Sequence, residues 1–193
     1  MQVLKTKFKE LYVLTPEVFY DDRGHFFESF NSEKFSRKFN ALNFCQDNES
    51  KSMKNIIRGL HFQIPPFDQT KLVRVIYGSI LDVAVDLRKH SNTYGKYYTI
   101  QLDDKNKKQL LVPSGFAHGF LTLSNECIVN YKVDKPYSKN HERGIIFSDN
   151  NLNIDWGINL DQAILSDKDY TLGKFNNLKD YFTYSSKWEW KLF

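Results

Sequence analysis

Three short segments of this chain set charged or imidazole side chains among aromatic ones: Asp22-Arg23-Gly24-His25-Phe26-Phe27-Glu28, Arg58-Gly59-Leu60-His61-Phe62-Gln63 and Pro113-Ser114-Gly115-Phe116-Ala117-His118-Gly119-Phe120. An imidazole titrates near neutrality and a guanidinium fork grips oxyanions, so segments of this make-up can move protons or hold phosphate. A single polar residue in such company is either a satisfied core group or a functional one, and taken alone each favours the core. The case rests on the set.

Short β-type runs separated by turn residues must carry these segments: 11–14, 25–30, 56–62, 71–77, 80–87, 97–102, 110–112 and 128–133. Strands at such regular spacing predict an all-β sandwich or barrel. One helix is expected in the first half, over 31–39, where Asn31 or Ser32 can cap and Phe35 and Phe39 share a face. Gly78-Ser79 between two alternating runs reads as a two-residue hairpin, which would pair 71–77 with 80–87 antiparallel. Alternation puts Lys71, Val73, Val75 and Tyr77 on one face of the first run, and Asp82, Ala84, Asp86 and Arg88 on one face of the second. After about residue 140 the strand pattern loosens. The tail from about Tyr170, with Trp188 and Trp190, reads as short helices or irregular chain packed outside the barrel.

Composition narrows the function. The 193 residues are 41% hydrophobic and 16% aromatic, which suits one folded domain over 1–193 and excludes intrinsic disorder. The surplus of Lys+Arg over Asp+Glu, 27 to 23, is not gathered into basic blocks, so a small anionic substrate is expected and a nucleic acid is not. Cys45 and Cys127 lie far apart without a CxxC spacing, which argues against a disulfide framework or zinc site and makes a reducing cytoplasm the expected compartment. No run approaches the roughly 18 apolar residues of a membrane span, and the first residues do not form a signal peptide.

Read together, the segments and their neighbours resemble the dTDP-4-dehydrorhamnose 3,5-epimerase family from about Leu11 to Asp169. The landmarks stand in order as Asp22-Arg23-Gly24, Gln46-Asp47-Asn48, Arg58 to Gln63, Lys71-Leu72-Val73, Asp82 to Asp86, Gly115 to Phe120, Glu142-Arg143-Gly144-Ile145 and Leu165 to Asp169. The resemblance implies a cupin-like jelly-roll β-barrel with short peripheral helices and a peripheral C-terminal extension from about 170. It also implies a reaction that needs no cofactor and no metal: a proton is taken from a carbon next to a C4 ketone and returned from the opposite face. Such chemistry needs a base near neutral pKa, an acid across from it and a cation for the enolate oxygen. By resemblance His61 is the base, Asp169 its orienting carboxylate, Tyr131 the acid and Lys71 the cation.

The remaining matches hold substrate. Arg23, Arg58 and Lys168 suit a diphosphate; Glu28, Gln46 and Asn48 suit a pyrimidine edge; Tyr137 resembles the aromatic that stacks on thymine; Phe26, His118 and Glu142 match further substrate contacts. In the family the stretch around Arg23 to Glu28 reaches a neighbouring subunit's site, so a homodimer acting on a dTDP-linked 4-keto-6-deoxy sugar is implied. The alternatives are an epimerase of C3 or C5 alone, an isomerase of another dTDP- or GDP-linked 4-keto sugar, a metal-dependent cupin, and a non-catalytic sugar-nucleotide-binding barrel. Metal-binding cupins usually show two histidines one residue apart, and here those positions are His61 and Gln63.

Two geometric expectations follow. Arg58 and His61 are three apart, which on a regular strand sends them to opposite faces, so both can face substrate only with a bulge or strand end near Gly59. If Lys71 points inward, Asp82 or Asp86 can lie behind it or behind His61; a solvated outer face for the two carboxylates is the equal alternative.

Overall fold

A computed structural model describes residues 1–39 and 42–185 of the chain. In order the elements are β1 (Gln2–Lys5), β2 (Tyr12–Thr15), β3 (Phe19–Asp21), β4 (Gly24–Phe26), α1 (Ser32–Lys38), β5 (Gln46–Met53), β6 (Ile57–Gln63), β7 (Lys71–Tyr77), β8 (Ser79–Asp86), β9 (Arg88–Lys89), β10 (Tyr97–Asp103), β11 (Gln109–Val112), β12 (Phe116–Thr122), β13 (Glu126–Val133), β14 (Glu142–Gly144), α2 (Asp167–Tyr170) and β15 (Phe182–Thr183). Two antiparallel sheets dominate, one ordered β1-β2-β11-β7-β13-β5 and the other β10-β8-β12-β6-β14. Their inner faces enclose a core of Val73, Val75, Ile80, Ala84, Val112, Phe116, Phe120 and Val129. Strand alternation accounts for it, since these apolar residues recur at every second position of β7, β8, β12 and β13, and the polar residues Lys71, Asp82, His118 and Tyr131 take the remaining inward places.

The outer faces are covered differently. Helix α1, capped by the Asn31 side chain on the Lys34 N–H at 3.1 Å, lays Phe35 against Tyr12, Leu14, Leu72 and Leu111 of the six-stranded sheet. Leu60, Phe62, Val83, Val85, Ala117 and Leu121 on the back of the five-stranded sheet are covered by Ile145, Phe147, Leu152, Ile154 and Trp156. The irregular chain after residue 140 is therefore a second layer of core. Trp188 and Trp190 lie outside the described residues. The result is an all-β, cupin-like jelly roll with short peripheral helices, and no described helix is long and apolar enough to cross a membrane.

Three sequence expectations need correction. Strands β7 and β8 do not pair: β7 lies between β11 and β13, and β8 lies between β10 and β12. Gly78 does take a positive φ of 79°, but its N–H goes to the Asp104 carboxylate (2.8 Å) and the Ser79 N–H to the Ser124 hydroxyl (2.9 Å), so the chain turns a corner between sheets. The run over 25–30 is strand only to Phe26; Phe30 turns away to pack on Phe35 and Phe44. Strand β5 was not expected, because its inward positions Gln46, Asn48, Ser50 and Ser52 are polar and give no apolar alternation.

The bulge is present. His118 of β12 pairs with His61 and Phe120 with Arg58, so three steps on β6 oppose two on β12. Gly59 has φ 118°, and a Cβ there would come within 2.7 Å of Gly119 Cα and the His118 carbonyl oxygen. Only glycine fits this approach. The extra residue keeps Leu60 and Phe62 on the outer core while Arg58, His61 and Gln63 share the inner side.

Candidate active site

At one end of the barrel a cleft of about 260 Å³ is lined by Gln46, Asn48, His61, Phe62, Gln63, Gln69, Lys71, Tyr131, Tyr137 and Glu142. Five strands and two connecting segments supply these side chains, and the sheet registers bring them to one place. Tyr131 of β13 stands opposite Asn48 of β5 and Val73 of β7, while His61 reaches the same opening from β6 across the barrel.

His61 Nε2 lies 2.6 Å from Asp169 Oδ1, a contact spanning 108 residues. The carboxylate is nearly fully buried at 5% exposure and sits in α2, whose cap, Ser166, accepts from the Asp169 N–H at 3.2 Å. Burial works to raise the Asp169 pKa, but the hydrogen bond and charge of His61, with an N–H donated by Gly59, outweigh it and hold the group below the ordinary aspartate value. Asp169 is thus an ionised acceptor that pins the ring.

Lys71, at the start of β7, points into the cleft with Nζ 3.5 Å from the His61 carbonyl oxygen and 6.0 Å from the centre of the Tyr131 ring. Burial pulls its pKa down to about 8, against the opposing pull of Asp82 and Glu142. Tyr131 is raised above its ordinary value, by burial first and by the Glu142 charge, with Arg58 opposing. It is a protonated phenol at neutral pH. Arg58 extends along β5, donating from Nε to Ser52 Oγ at 2.8 Å and from Nη2 to the Lys51 carbonyl at 3.1 Å.

Glu142 ties the rim together, accepting from Lys168 Nζ at 2.6 Å and from the Tyr137 hydroxyl at 2.8 Å. Burial favours its neutral form, yet the hydrogen bonds from Lys168 and Tyr137 keep it below the usual glutamate value. Gln46 donates to Asn48 at 2.9 Å and accepts from the Tyr137 N–H at 3.2 Å. His118 lies deeper inside the barrel, its Nε2 3.0 Å from both carboxylate oxygens of the fully buried Asp82. The solvated reading of Asp82 and Asp86 is overturned, since both are at 0% exposure; Asp86 belongs elsewhere, bonded to Arg88, Ser91 and Thr93.

The structure therefore gathers His61, Asp169, Lys71, Tyr131, Gln46, Asn48, Tyr137, Glu142 and Lys168 at the cleft, with Arg58 and His118 beside it. Arg23, Phe26 and Glu28 are not brought there by their own chain. Arg23, 90% exposed, pairs with Asp21; Phe26 is 71% exposed; Glu28 pairs with Lys34 at 2.7 Å. Gln63, singled out in the sequence as part of the 58–63 segment, lines the cleft with its amide on the Phe67 and Pro136 carbonyls, and Gln69, which donates to the Lys135 carbonyl at 2.7 Å, escaped the sequence reading. A lone glutamine in a loop, as Gln69 is, gives no signal for this. Among the described residues no group of three His, Cys, Asp or Glu side chains is placed to hold a metal.

A larger cleft of about 500 Å³ opens beside Arg88, Lys135 and residues 181–185. Its cations are already paired, Arg88 with Glu10 and Asp86 and Lys135 with Asp68, and it presents no described imidazole to a ligand. The smaller cleft presents an imidazole, a phenol and an ammonium to its opening.

The family model described as dTDP-4-dehydrorhamnose 3,5-epimerase matches residues 5–177. A dTDP-4-dehydrorhamnose 3,5-epimerase of Shigella flexneri is 47% identical over 94% of this chain and 99% of its own length. One from Methanothermobacter thermautotrophicus is also 47% identical, over 86% of this chain and 90% of its own. The crystal structure of a dTDP-6-deoxy-D-glucose-3,5-epimerase of Legionella pneumophila in complex with dTDP-4-keto-L-rhamnose superposes with a TM-score of 0.89 at 35% identity, covering 96% of this chain and 99% of that one.

Proposed function

The chain belongs to the dTDP-4-dehydrorhamnose 3,5-epimerase family, and from that premise we propose that His61, Asp169, Tyr131 and Lys71 carry out its reaction in the cleft at the barrel mouth. The protein inverts C3 and C5 of dTDP-4-dehydro-6-deoxy-D-glucose, giving dTDP-4-dehydro-L-rhamnose. The observation that carries the assignment of roles is the 2.6 Å His61–Asp169 pair facing the same small cavity as Tyr131 and Lys71.

A carboxylate can only accept, so Asp169 fixes the proton of His61 on Nε2 and leaves Nδ1 as the basic nitrogen. Nδ1 takes the proton from C3 or C5, the electron pair moves toward C4, and the ketone oxygen becomes an enolate oxyanion. The Lys71 ammonium, itself drawn into the barrel, compensates that charge where burial strengthens the interaction. Tyr131 then gives its hydroxyl proton to the carbon from the other face, leaving a phenolate. Base and acid exchange protons with solvent before the second centre is inverted, so solvent hydrogen enters both carbons.

Arg58 and Lys168 bind the diphosphate; Gln46 and Asn48 bind the pyrimidine edge and Tyr137 stacks on it. Arg23, Phe26 and Glu28 act in the neighbouring subunit of a homodimer, a reading supported by their exposure on a hairpin that does not face its own cleft. The two free cysteines suit a cytoplasmic enzyme.

Incubation with the dTDP-linked 4-keto-6-deoxy sugar in heavy water, followed by NMR, tests the whole scheme. Deuterium should enter C3 and C5, and His61→Ala and Tyr131→Phe should each slow turnover by about 10²- to 10⁴-fold. Exchange at one carbon would make this a single-centre epimerase, and unchanged exchange in His61→Ala would remove His61 as the base.

A further inference from the structure

The inner face of β8 carries a buried charge that the reaction scheme above does not use. Asp82 is fully buried, flanked on its own strand by Ile80 and Ala84 of the inner core and opposed by Ile100 of β10 and Phe120 of β12. A carboxylate in such surroundings is costly unless it is bonded and paired. Its bonds go to one group: His118 Nε2 lies 3.0 Å from each of its oxygens. His118 itself, 8% exposed, stands directly opposite His61 in the β6–β12 register. Lys71, on β7 of the facing sheet, projects into the same interior, its Nζ 3.5 Å from the carbonyl oxygen of His61.

We propose that Asp82 is a positioning residue for the epimerisation: it locks His118 in the tautomer protonated at Nε2, and it supplies the fixed negative charge that keeps Lys71 an ammonium beside the enolate oxygen. This rests on the functional reading above. Because the carboxylate accepts, the His118 proton sits on Nε2, and Nδ1 is left as the acceptor nitrogen of a ring held still behind the cleft.

The charges around Lys71 can be named strand by strand. Asp82 comes from β8, His118 from β12, His61 from β6 with Asp169 behind it, Tyr131 from β13 and Glu142 from β14; Arg58, bonded to Ser52 of β5, acts on Tyr131. Burial pushes Lys71 toward its neutral form, and the carboxylates that resist this are Asp82 and Glu142. Glu142 is committed to Lys168 and Tyr137 at the rim. Asp82 is enclosed with the core and makes no described bond except to His118. Loss of its charge lowers the Lys71 pKa, so the ammonium is lost at a lower pH.

The test is the pH–rate profile of Asp82→Asn, an isosteric change, beside wild type in the deuterium-exchange assay. We expect kcat to fall by about 10- to 100-fold and the alkaline limb to move down by about one pH unit, with thymidine diphosphate binding retained because Asp82 is fully buried and does not line the cleft. An unmoved alkaline limb in a folded, nucleotide-binding Asp82→Asn protein would overturn the proposal. If that variant does not fold, the wild-type protein still decides: ¹⁵N NMR should find His118 protonated at Nε2, and the Nδ1-protonated tautomer would refute the assignment. Absence of any exchange by wild type would instead sink the functional reading itself.

Discussion

Asp169 meets two opposing demands, since it is buried like a core residue and yet must stay ionised to hold His61. The hydrogen bond from His61 resolves the conflict in favour of charge. Replacing it by Asn keeps the shape but allows the imidazole its other tautomer, so Asp169→Asn should lower kcat roughly 10³- to 10⁴-fold with little change in nucleotide affinity, as steady-state kinetics would show. A stability effect follows from the same pKa. A carboxylate depressed in the folded state lends stability that is complete above the ordinary aspartate value of 3.8 and is lost as pH falls through its lower folded pKa. Urea unfolding at a series of pH values should therefore show wild type ahead of Asp169→Asn at pH 6, with the gap closing below the ordinary aspartate range. At this scale the sequence supplied residue types, and the resemblance supplied their partners. Nothing in spacing alone could join His61 to a carboxylate 108 positions away, and Gln69 carried no motif at all.

One glycine decides whether β6 can present Arg58 and His61 on the same side. Gly59 combines a φ of 118° with a backbone approach that leaves no room for a methyl group, 2.7 Å from both Gly119 Cα and the His118 carbonyl. Gly59→Ala should cost about 2–4 kcal/mol in thermal or urea unfolding, and the surviving folded fraction should have lost activity, because the bulge aims the base. A variant that melts like wild type and turns over normally would show that the bulge is not needed. The need for this irregularity was legible, since two residues three apart could not otherwise share a face. Elements with apolar alternation were legible too: β7 covers 71–77 as expected, and α1 falls within 31–39. Strand β5 was hidden because the same polar residues that serve the cleft erase the period-two pattern. The 71–77 and 80–87 runs were joined wrongly because Gly78 looks the same in a hairpin and at a corner between sheets, and the deciding partners, Asp104 and Ser124, are remote in sequence.

The whole barrel sets Asp82 and Asp86, two steps apart on one face of β8, to different tasks. Asp86 closes a buried network with Arg88, Ser91 and Thr93, and Arg88 reaches on to Glu10. Asp86→Asn leaves a buried guanidinium short of charge and should cost about 3–5 kcal/mol of stability, read by denaturant unfolding, while the pH dependence of turnover in the folded enzyme stays as in wild type. That contrast separates the charge that holds the fold from the charge assigned to the chemistry.

In the function proposed above, the complete site draws on a second chain. Arg23 and Phe26 belong to the β3–β4 hairpin, and Glu28 follows it; the first two are strongly exposed, Glu28 is occupied by Lys34 and Asn31, and none of the three lines its own cleft. Composition gave no sign of a partner, and only the resemblance sent this stretch to a second subunit. Mixing distinguishes a shared site from a self-contained one. His61→Ala lacks its base, and Arg23→Ala lacks what its hairpin gives to the other subunit, so each alone should be impaired. When the two are unfolded together, refolded and allowed to pair at random, half the dimers are mixed, and each mixed dimer contains one site with both His61 and Arg23. Activity should return to about one quarter of wild type. Two self-contained sites would give no recovery above the sum of the separate variants, and size-exclusion chromatography of a monomer would remove the shared site altogether.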